Sequence, residues 1–368
     1  MSRVLVVGGG VAGCSVAIEL AGRGASVLLL EADQPGTHAT GASAGMLAPQ
    51  YESKADSPLF GLGIRSRGLY ADFVEKLEKL GGWSVDHRCD GMLVANRNER
   101  ERDAATRDAE QHRARGLRAE VIDCSTARGI HEGVSPEVPS WLWLPDEAQV
   151  NAQLLAVGLA SAVRRSGARL RLGMRVNRLM TRGDRLVGVR TESGETFEGN
   201  AVVLAAGAWS GLVKGVPRRL PVRPVQGQML RVQPVRSFPW PLVAGHDGHY
   251  VVPRQNDTIL CGSTMEDRGF DESVTEGGRE EIAGRVSELV PVLGDAPVVE
   301  RWAGLRPLSA DGMPVLGPEP RVQGLFYATG HGRNGILLAP ITARILADLV
   351  LDGASSLDWQ PFSATRFD

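Results

Sequence analysis

The hydrophobic period of the chain changes twice within its first thirty residues. Residues 3–7 (RVLVV) are almost wholly apolar and β-branched, residues 11–23 carry apolar positions at helical spacing, and residues 26–30 (SVLLL) form a second short apolar run. Short apolar runs suit buried strands and the longer 3.6-residue period suits a helix, so the chain opens on a β-α-β unit. Farther on, Leu69, Phe73, Leu77 and Leu80 recur at helical spacing and predict an amphipathic helix with one face to bury. Residues 99–118 are so charge-rich that a solvated helix is expected. A further helix is predicted from Asn151 to near Gly167, followed by strands that turn at Glu192-Ser193-Gly194. The run 201–204 leads straight into Ala205-Ala206-Gly207-Ala208-Trp209, and residues 221–265 read as antiparallel strands broken by proline, Gln-Asn-Asp and His-Asp-Gly turns. The pattern closes with a strand at 325–329, a glycine-rich turn at 330–335 and a long helix at 336–351.

These elements predict an α/β protein, α+β overall, in which a Rossmann-type nucleotide-binding domain is joined to a second, antiparallel-sheet substrate domain. The expected division is discontinuous: residues 1–85, 145–215 and 310–368 in the first domain, 86–144 and 216–309 in the second.

Composition narrows the function. With 368 residues, 43% of them hydrophobic, the chain can bury a core larger than one average domain needs. Lys plus Arg number 41 against 43 Asp plus Glu, a balance without the basic excess that nucleic-acid binding requires, so a small-molecule partner is expected. Cys14, Cys89, Cys124 and Cys261 are far apart and form no CxxC pair, which argues against a metal site. The first apolar run is punctuated by glycines and lacks a basic lead-in, so neither a signal peptide nor an integral membrane segment is expected, and a cytoplasmic protein is.

The strongest local signal is the loop after the first strand. Gly8, Gly10 and Gly13 make GxGxxG between strand and helix, and Glu31 closes the second strand. The glycines allow a pyrophosphate to approach the helix N-terminus, and the carboxylate accepts hydrogen bonds from ribose hydroxyls. A glutamate there disfavours the 2'-phosphate of NADP but leaves NAD and FAD both open.

Later motifs bear on that choice. They are Gly41-Ala42-Ser43-Ala44-Gly45-Met46-Leu47-Ala48-Pro49, Pro145-Asp146-Glu147-Ala148 with Val150-Asn151, Ala205 to Ser210, Gln226-Gly227-Gln228-Met229, Tyr250 in HYVVPR, Met265 in STME, Arg306 in GLRP, and Gly330-His331-Gly332-Arg333-Asn334-Gly335. In this order they resemble the D-amino-acid oxidase superfamily of flavoproteins, and within it the glycine oxidase branch associated with thiamine biosynthesis. The resemblance spans nearly the whole chain. It implies FAD contacts from Gly8, Gly10, Val11, Ala12, Gly13, Glu31, Ala32, Ala39, Thr40, Ser43, Ala44, Gly45, Met46, Val176, Ala206 and Gly207, with His331, Gly332, Arg333, Asn334, Gly335, Ile336 and Leu337 along the isoalloxazine. It also implies that Arg306 holds a substrate carboxylate and that Tyr250, Met265 and Arg333 line the pocket. Some relatives tether flavin through a cysteine near the C-terminal turn. The last cysteine here is Cys261, so noncovalent FAD is expected.

These residue types suit amine oxidation, in which the flavin supplies the redox chemistry and the protein supplies orientation and electrostatics. A planar guanidinium at Arg306 can grip a carboxylate with two parallel hydrogen bonds. Arg333 reads equally as a substrate ligand or as a cation behind the site, Tyr250 as a donor or as strand packing, and Met265 as an apolar wall or as core filler. His246 and His249 have no evident place over a substrate amine. The expected activity is oxidative deamination of glycine, sarcosine or a similar small amine by oxygen, giving oxo acid, ammonia or amine, and hydrogen peroxide. An FAD dehydrogenase for a D-amino acid, proline or a hydroxy acid, feeding a quinone or carrier, is the alternative. A noncatalytic flavoprotein would lack the GLRP arginine or the last glycine turn, and both are present. Family likeness adds the expectation of a homo-oligomer.

Overall fold

The structure, a computed structural model, describes residues 3–235 and 241–368. Strand β1 (Arg3–Val7) leads through helix α1 (Val11–Gly22) to strand β2 (Ser26–Leu30), as the opening pattern predicts. β1 and β2 pair in parallel, and β1 also pairs in parallel with Ala201–Leu204 on its other side. The full six-stranded sheet runs Val315–Pro318, Leu325–Thr329, Ala201–Leu204, β1, β2, Arg169–Arg171. Its strands are apolar on successive positions because both faces are covered. Val4, Val6 and Leu29 face one apolar cluster with α1 and the helix Ala339–Leu351, while Leu5, Val7 and Leu28 face another.

From β1 the chain passes to β2 on one side and only much later to Ala201–Leu204 on the other, so the strand order reverses there. In such sheets the crevice beyond the carboxyl ends of the strands at the reversal is where ligands bind. Gly8 follows β1, Glu31 follows β2 and Ala205 follows Ala201–Leu204, so all three stand at that crevice. A Cβ on Gly13 would lie 1.9 Å from the Gly8 carbonyl oxygen, so only glycine lets α1 start this close to the end of β1.

A second, eight-stranded sheet runs Val298–Ser309, Val222–Val232, Ile259–Gly262, Tyr250–Pro253, Leu242–Gly245, Met92–Asn96, Ser140–Leu144, Glu120–Asp123. It is antiparallel as its turn chemistry predicts, except that Leu242–Gly245 lies parallel to Met92–Asn96. One face packs under the helix Glu276–Leu289 through Ile282, Val286 and Leu289. The charge-rich helix, Glu99–Arg113, is not solvated all round: Ala105, Ala109 and His112 make a narrow stripe of small and ring side chains that is buried. The last helix begins at Ala339, three residues later than its apolar pattern suggests, with Pro340 in its first turn. Proline is favoured there because its missing N–H has no helical partner to lose. Among the described residues no helix is long and apolar enough to cross a membrane.

Candidate active site

One cleft of about 1660 Å³, counted with its open mouth, runs from the ends of β1 and β2 to the face of the eight-stranded sheet.

At the first end lie Gly8, Gly10, Val11, Ala12, Glu31, Ala32 and Val176, together with Ala206 and Gly207. α1 opens at Gly10, which has no side chain to cap it, and carries no acidic residue in its first turn, leaving a positive helix end facing the cleft. Thr40 Oγ1 accepts the Val11 N–H at 3.0 Å. The Glu31 carboxylate, 7% exposed, accepts the Gly9 N–H through Oε2 and the Asp33 N–H at 2.7 Å through Oε1. Glu31 therefore ties the glycine loop to β2 as well as lining the cleft, a second task that motif spacing does not reveal.

Ala39, Thr40, Ser43, Ala44, Gly45 and Met46 line the middle. Gly45 has φ +73°, and a Cβ there would lie 1.9 Å from the Val150 carbonyl oxygen, so this turn demands glycine. Below it, buried Arg254 donates to Ala44 O at 2.5 Å and to Gln149 Oε1 at 2.9 Å, and burial brings its pKa down to about 9. Arg254, the last residue of HYVVPR, holds the loop from behind, a role that its motif does not reveal.

The far end gathers Tyr250, Arg306 and Arg333 with His331, Gly332, Asn334, Gly335 and Ile336. Arg306 comes from Val298–Ser309, and its guanidinium lies against the neighbouring strand, where a Cβ on Gly227 would be 1.9 Å from Nη1. It donates to Ser263 Oγ at 2.7 Å and to Thr264 O at 3.2 Å, both uncharged. Burial lowers its pKa from the ordinary arginine value. Arg333 has a different environment: Nε and Nη2 donate to the two oxygens of Glu52 at 2.9 and 3.0 Å. That pairing raises its pKa, and its guanidinium sits 5.9 Å from the centre of the Tyr250 ring. The Tyr250 hydroxyl donates to Met229 Sδ at 3.2 Å. His331 is buried, its Nε2 3.1 Å from Thr342 Oγ1, and burial lowers its pKa to about 4, so it is neutral near pH 7.

Three residues named from the motifs lie off this cleft. Met265 is 55% exposed: Ser263 and Thr264 are buried beside Arg306, and the next position turns outward before Glu266 bridges to Gln226. Met229, 2% exposed, takes up the apolar lining instead. Leu337 packs in the core while its carbonyl accepts from Ser66 Oγ, and Gly13 serves the contact between helix and strand. His246 and His249 lie outside the lining too, against Asn96 and beside Asp247. Glu52 lies in none of the motifs, and Gly227 and Arg254 lie in motifs that gave no sign of their roles. No cysteine lines the cleft, and no group of His, Cys, Asp or Glu among the described residues could hold a metal ion.

A sequence model of the family described as DAO, FAD dependent oxidoreductase, matches residues 3–349. The chain belongs to this DAO family. Glycine oxidase of Geobacillus kaustophilus is 35% identical over 99% of the chain and 96% of that protein. The crystal structure of glycine oxidase from that organism superposes with a TM-score of 0.94, covering 100% of this chain and 99% of that one. The bifunctional protein ThiO/ThiG of Trichormus variabilis is 37% identical over 99% of the chain, which spans 55% of that longer protein. The crystal structure of iminodiacetate oxidase from Chelativorans sp. BNC1, 27% identical, superposes with a TM-score of 0.89 over 98% of both chains.

The DAO-family chain is thus an FAD-dependent amine or amino-acid oxidoreductase with the fold its β-α-β opening predicts. FAD suits the cleft on structural grounds. The α1 N-terminus, with no acidic residue in its first turn, suits a pyrophosphate, Glu31 at the end of β2 keeps lone pairs for a ribose, and Gly10 has only Thr40 Oγ1, at 3.6 Å, near where a side chain would stand.

Proposed function

We propose that this chain oxidises a small amino acid, glycine or N-methylglycine, at its C–N bond and passes the electrons to oxygen. The products are then the oxo acid, ammonia or methylamine, and hydrogen peroxide. The observation that carries this reading is Arg306: a guanidinium facing the cleft that donates to uncharged groups, Ser263 Oγ and Thr264 O, and so is suited to bind an anion.

FAD, when bound, supplies the acceptor for the hydride equivalent leaving the α-carbon. The chain's residues supply position. Arg306 holds the carboxylate in a planar fork, which fixes the side from which the α-carbon meets the cofactor. Ser263 and Thr264 keep the guanidinium from rotating, and Tyr250 and Met229 close the pocket beside it. The loop 331–336 would run along the ring, with the first end of the cleft holding the nucleotide and no covalent tether.

FAD-loaded protein supplied with glycine or N-methylglycine in air should produce hydrogen peroxide and glyoxylate in equal amounts. Turnover with an artificial dye but not with oxygen would instead favour a dehydrogenase.

A further inference from the structure

The far end of the cleft is lined by two guanidiniums, Arg306 and Arg333, and by one carboxylate, Glu52. The two arginines are not equivalent. Arg306 donates to uncharged groups, whereas both prongs of Arg333 are filled by Glu52 in the geometry a second substrate carboxylate would adopt. Two positive charges and one negative leave a net charge of +1, matched to a ligand with one carboxylate.

Glu52 is fixed in place rather than swinging from the surface. It ends the short helix Pro49–Glu52, its side chain is 10% exposed, and its N–H donates to Ala48 O at 2.9 Å. In the same turn the Gln50 N–H donates to buried Glu147 at 2.7 Å, and the Tyr51 hydroxyl donates to Gly245 O at 2.8 Å. A dicarboxylate entering this pocket would have to expel an anchored carboxylate or lie beside it unpaired, and either is unfavourable.

We propose that Glu52 determines specificity by occupying Arg333, so that the site accepts amino acids with one carboxylate and rejects those with two. This rests on the amino-acid reading above and names the substrate class within it. Rejection of the dicarboxylate is a built-in repulsive element, distinct from the attraction supplied by Arg306.

The test uses FAD-loaded protein and two unreactive probes, acetate and malonate, titrated by the change each makes in the visible spectrum of the bound flavin. Wild type should bind malonate no more tightly than acetate. Glu52→Gln, similar in shape but uncharged, should raise the malonate-to-acetate affinity ratio roughly 10- to 100-fold, the effect of one charged hydrogen-bonding contact. The kcat/KM ratio for iminodiacetate over glycine should rise in parallel. Glu52→Gln combined with Arg333→Gln restores the net charge and should abolish the gain, while Glu52→Asp keeps the charge and should stay close to wild type.

An unchanged ratio in Glu52→Gln, or a gain that persists without Arg333, would overturn the proposal. Tight malonate binding by wild type would also overturn it, and that measurement needs no variant to fold. If wild type oxidises neither glycine nor N-methylglycine while the binding ratio still switches, the proposed reaction fails and the charge matching stands. If glycine is oxidised and the ratio does not move, the reverse holds.

Discussion

Gly227→Ala is the smallest change that should disable substrate binding without touching any group that binds substrate. Gly227 lies opposite Gly304 on the paired strands Val222–Val232 and Val298–Ser309, and the Arg306 guanidinium rests over it. An added Cβ would sit 1.9 Å from Nη1 and 2.3 Å from Cζ. Unbonded heavy atoms prefer about 3.5 Å, so the guanidinium must retreat by roughly 1.5 Å. It cannot do so and keep its hydrogen bonds to Ser263 Oγ and Thr264 O, at 2.7 and 3.2 Å. A carboxylate held by the moved fork is misplaced by a similar distance, and an error of about 1 Å can cost about 100-fold in rate. We therefore expect kcat/KM for glycine to fall about 100-fold or more. FAD content and melting temperature should stay near wild type, because the strand backbone at this position suits any residue. The assay is oxygen consumption against glycine concentration, with flavin absorbance measured on the same sample. Wild-type kcat/KM in a fully FAD-loaded Gly227→Ala protein would refute the reasoning and remove Arg306 from the carboxylate site.

Arg306→Ala should retain FAD and lose roughly two to three orders of magnitude in kcat/KM, and Arg306→Lys should recover part of it, since an ammonium keeps the charge without the fork; equal losses for amines lacking a carboxylate would count against the assignment. Glu31→Gln turns one acceptor oxygen into an N–H donor facing the backbone N–H of Gly9 or Asp33, so purified protein should carry far less FAD, and full occupancy would contradict the role of the loop tie. For His331, burial puts the folded-state pKa at about 4, below the ordinary value of 6.5, so in that window the unfolded chain binds the proton and stability falls as pH falls. The loss should approach about 3 kcal/mol between pH 6.5 and 4, measured by denaturant unfolding, and His331→Gln should flatten that part of the profile.

How far the sequence could be read depended on the distance over which each feature is determined. The bounds of β1 and β2 and the place of Glu31 follow from local apolar runs and from a glycine pattern that physical rules tie to one loop shape. Fold class, family and cofactor were accordingly legible. Met265 was placed on the wrong side because, past the end of Ile259–Gly262, side-chain parity follows from the bridge between Glu266 and Gln226, a contact across the sheet. The pairing of Glu52 with Arg333 joins positions 281 residues apart, and no spacing rule reaches that far. Gly227 stood in plain sight in its motif, yet its meaning depends on the register that puts Arg306 above it. Arg254 reads as a strand-end cation until the fold brings Ala44 O to it.

The six-stranded sheet also constrains the order in which the cleft can be completed. β1, whose last residue leads into the glycine loop, is synthesised before either of its sheet neighbours. Its neighbour Ala201–Leu204 arrives much later, and Leu325–Thr329, which covers the outer side of that neighbour and delivers the loop 331–336, later still. No fragment ending before residue 325 can present both walls of the cleft, however well its β-α-β unit has formed. A nascent chain thus exposes half a nucleotide site and an unpaired parallel strand edge until residues 325–336 have been made, so capture of the cofactor and protection of that edge coincide at that step.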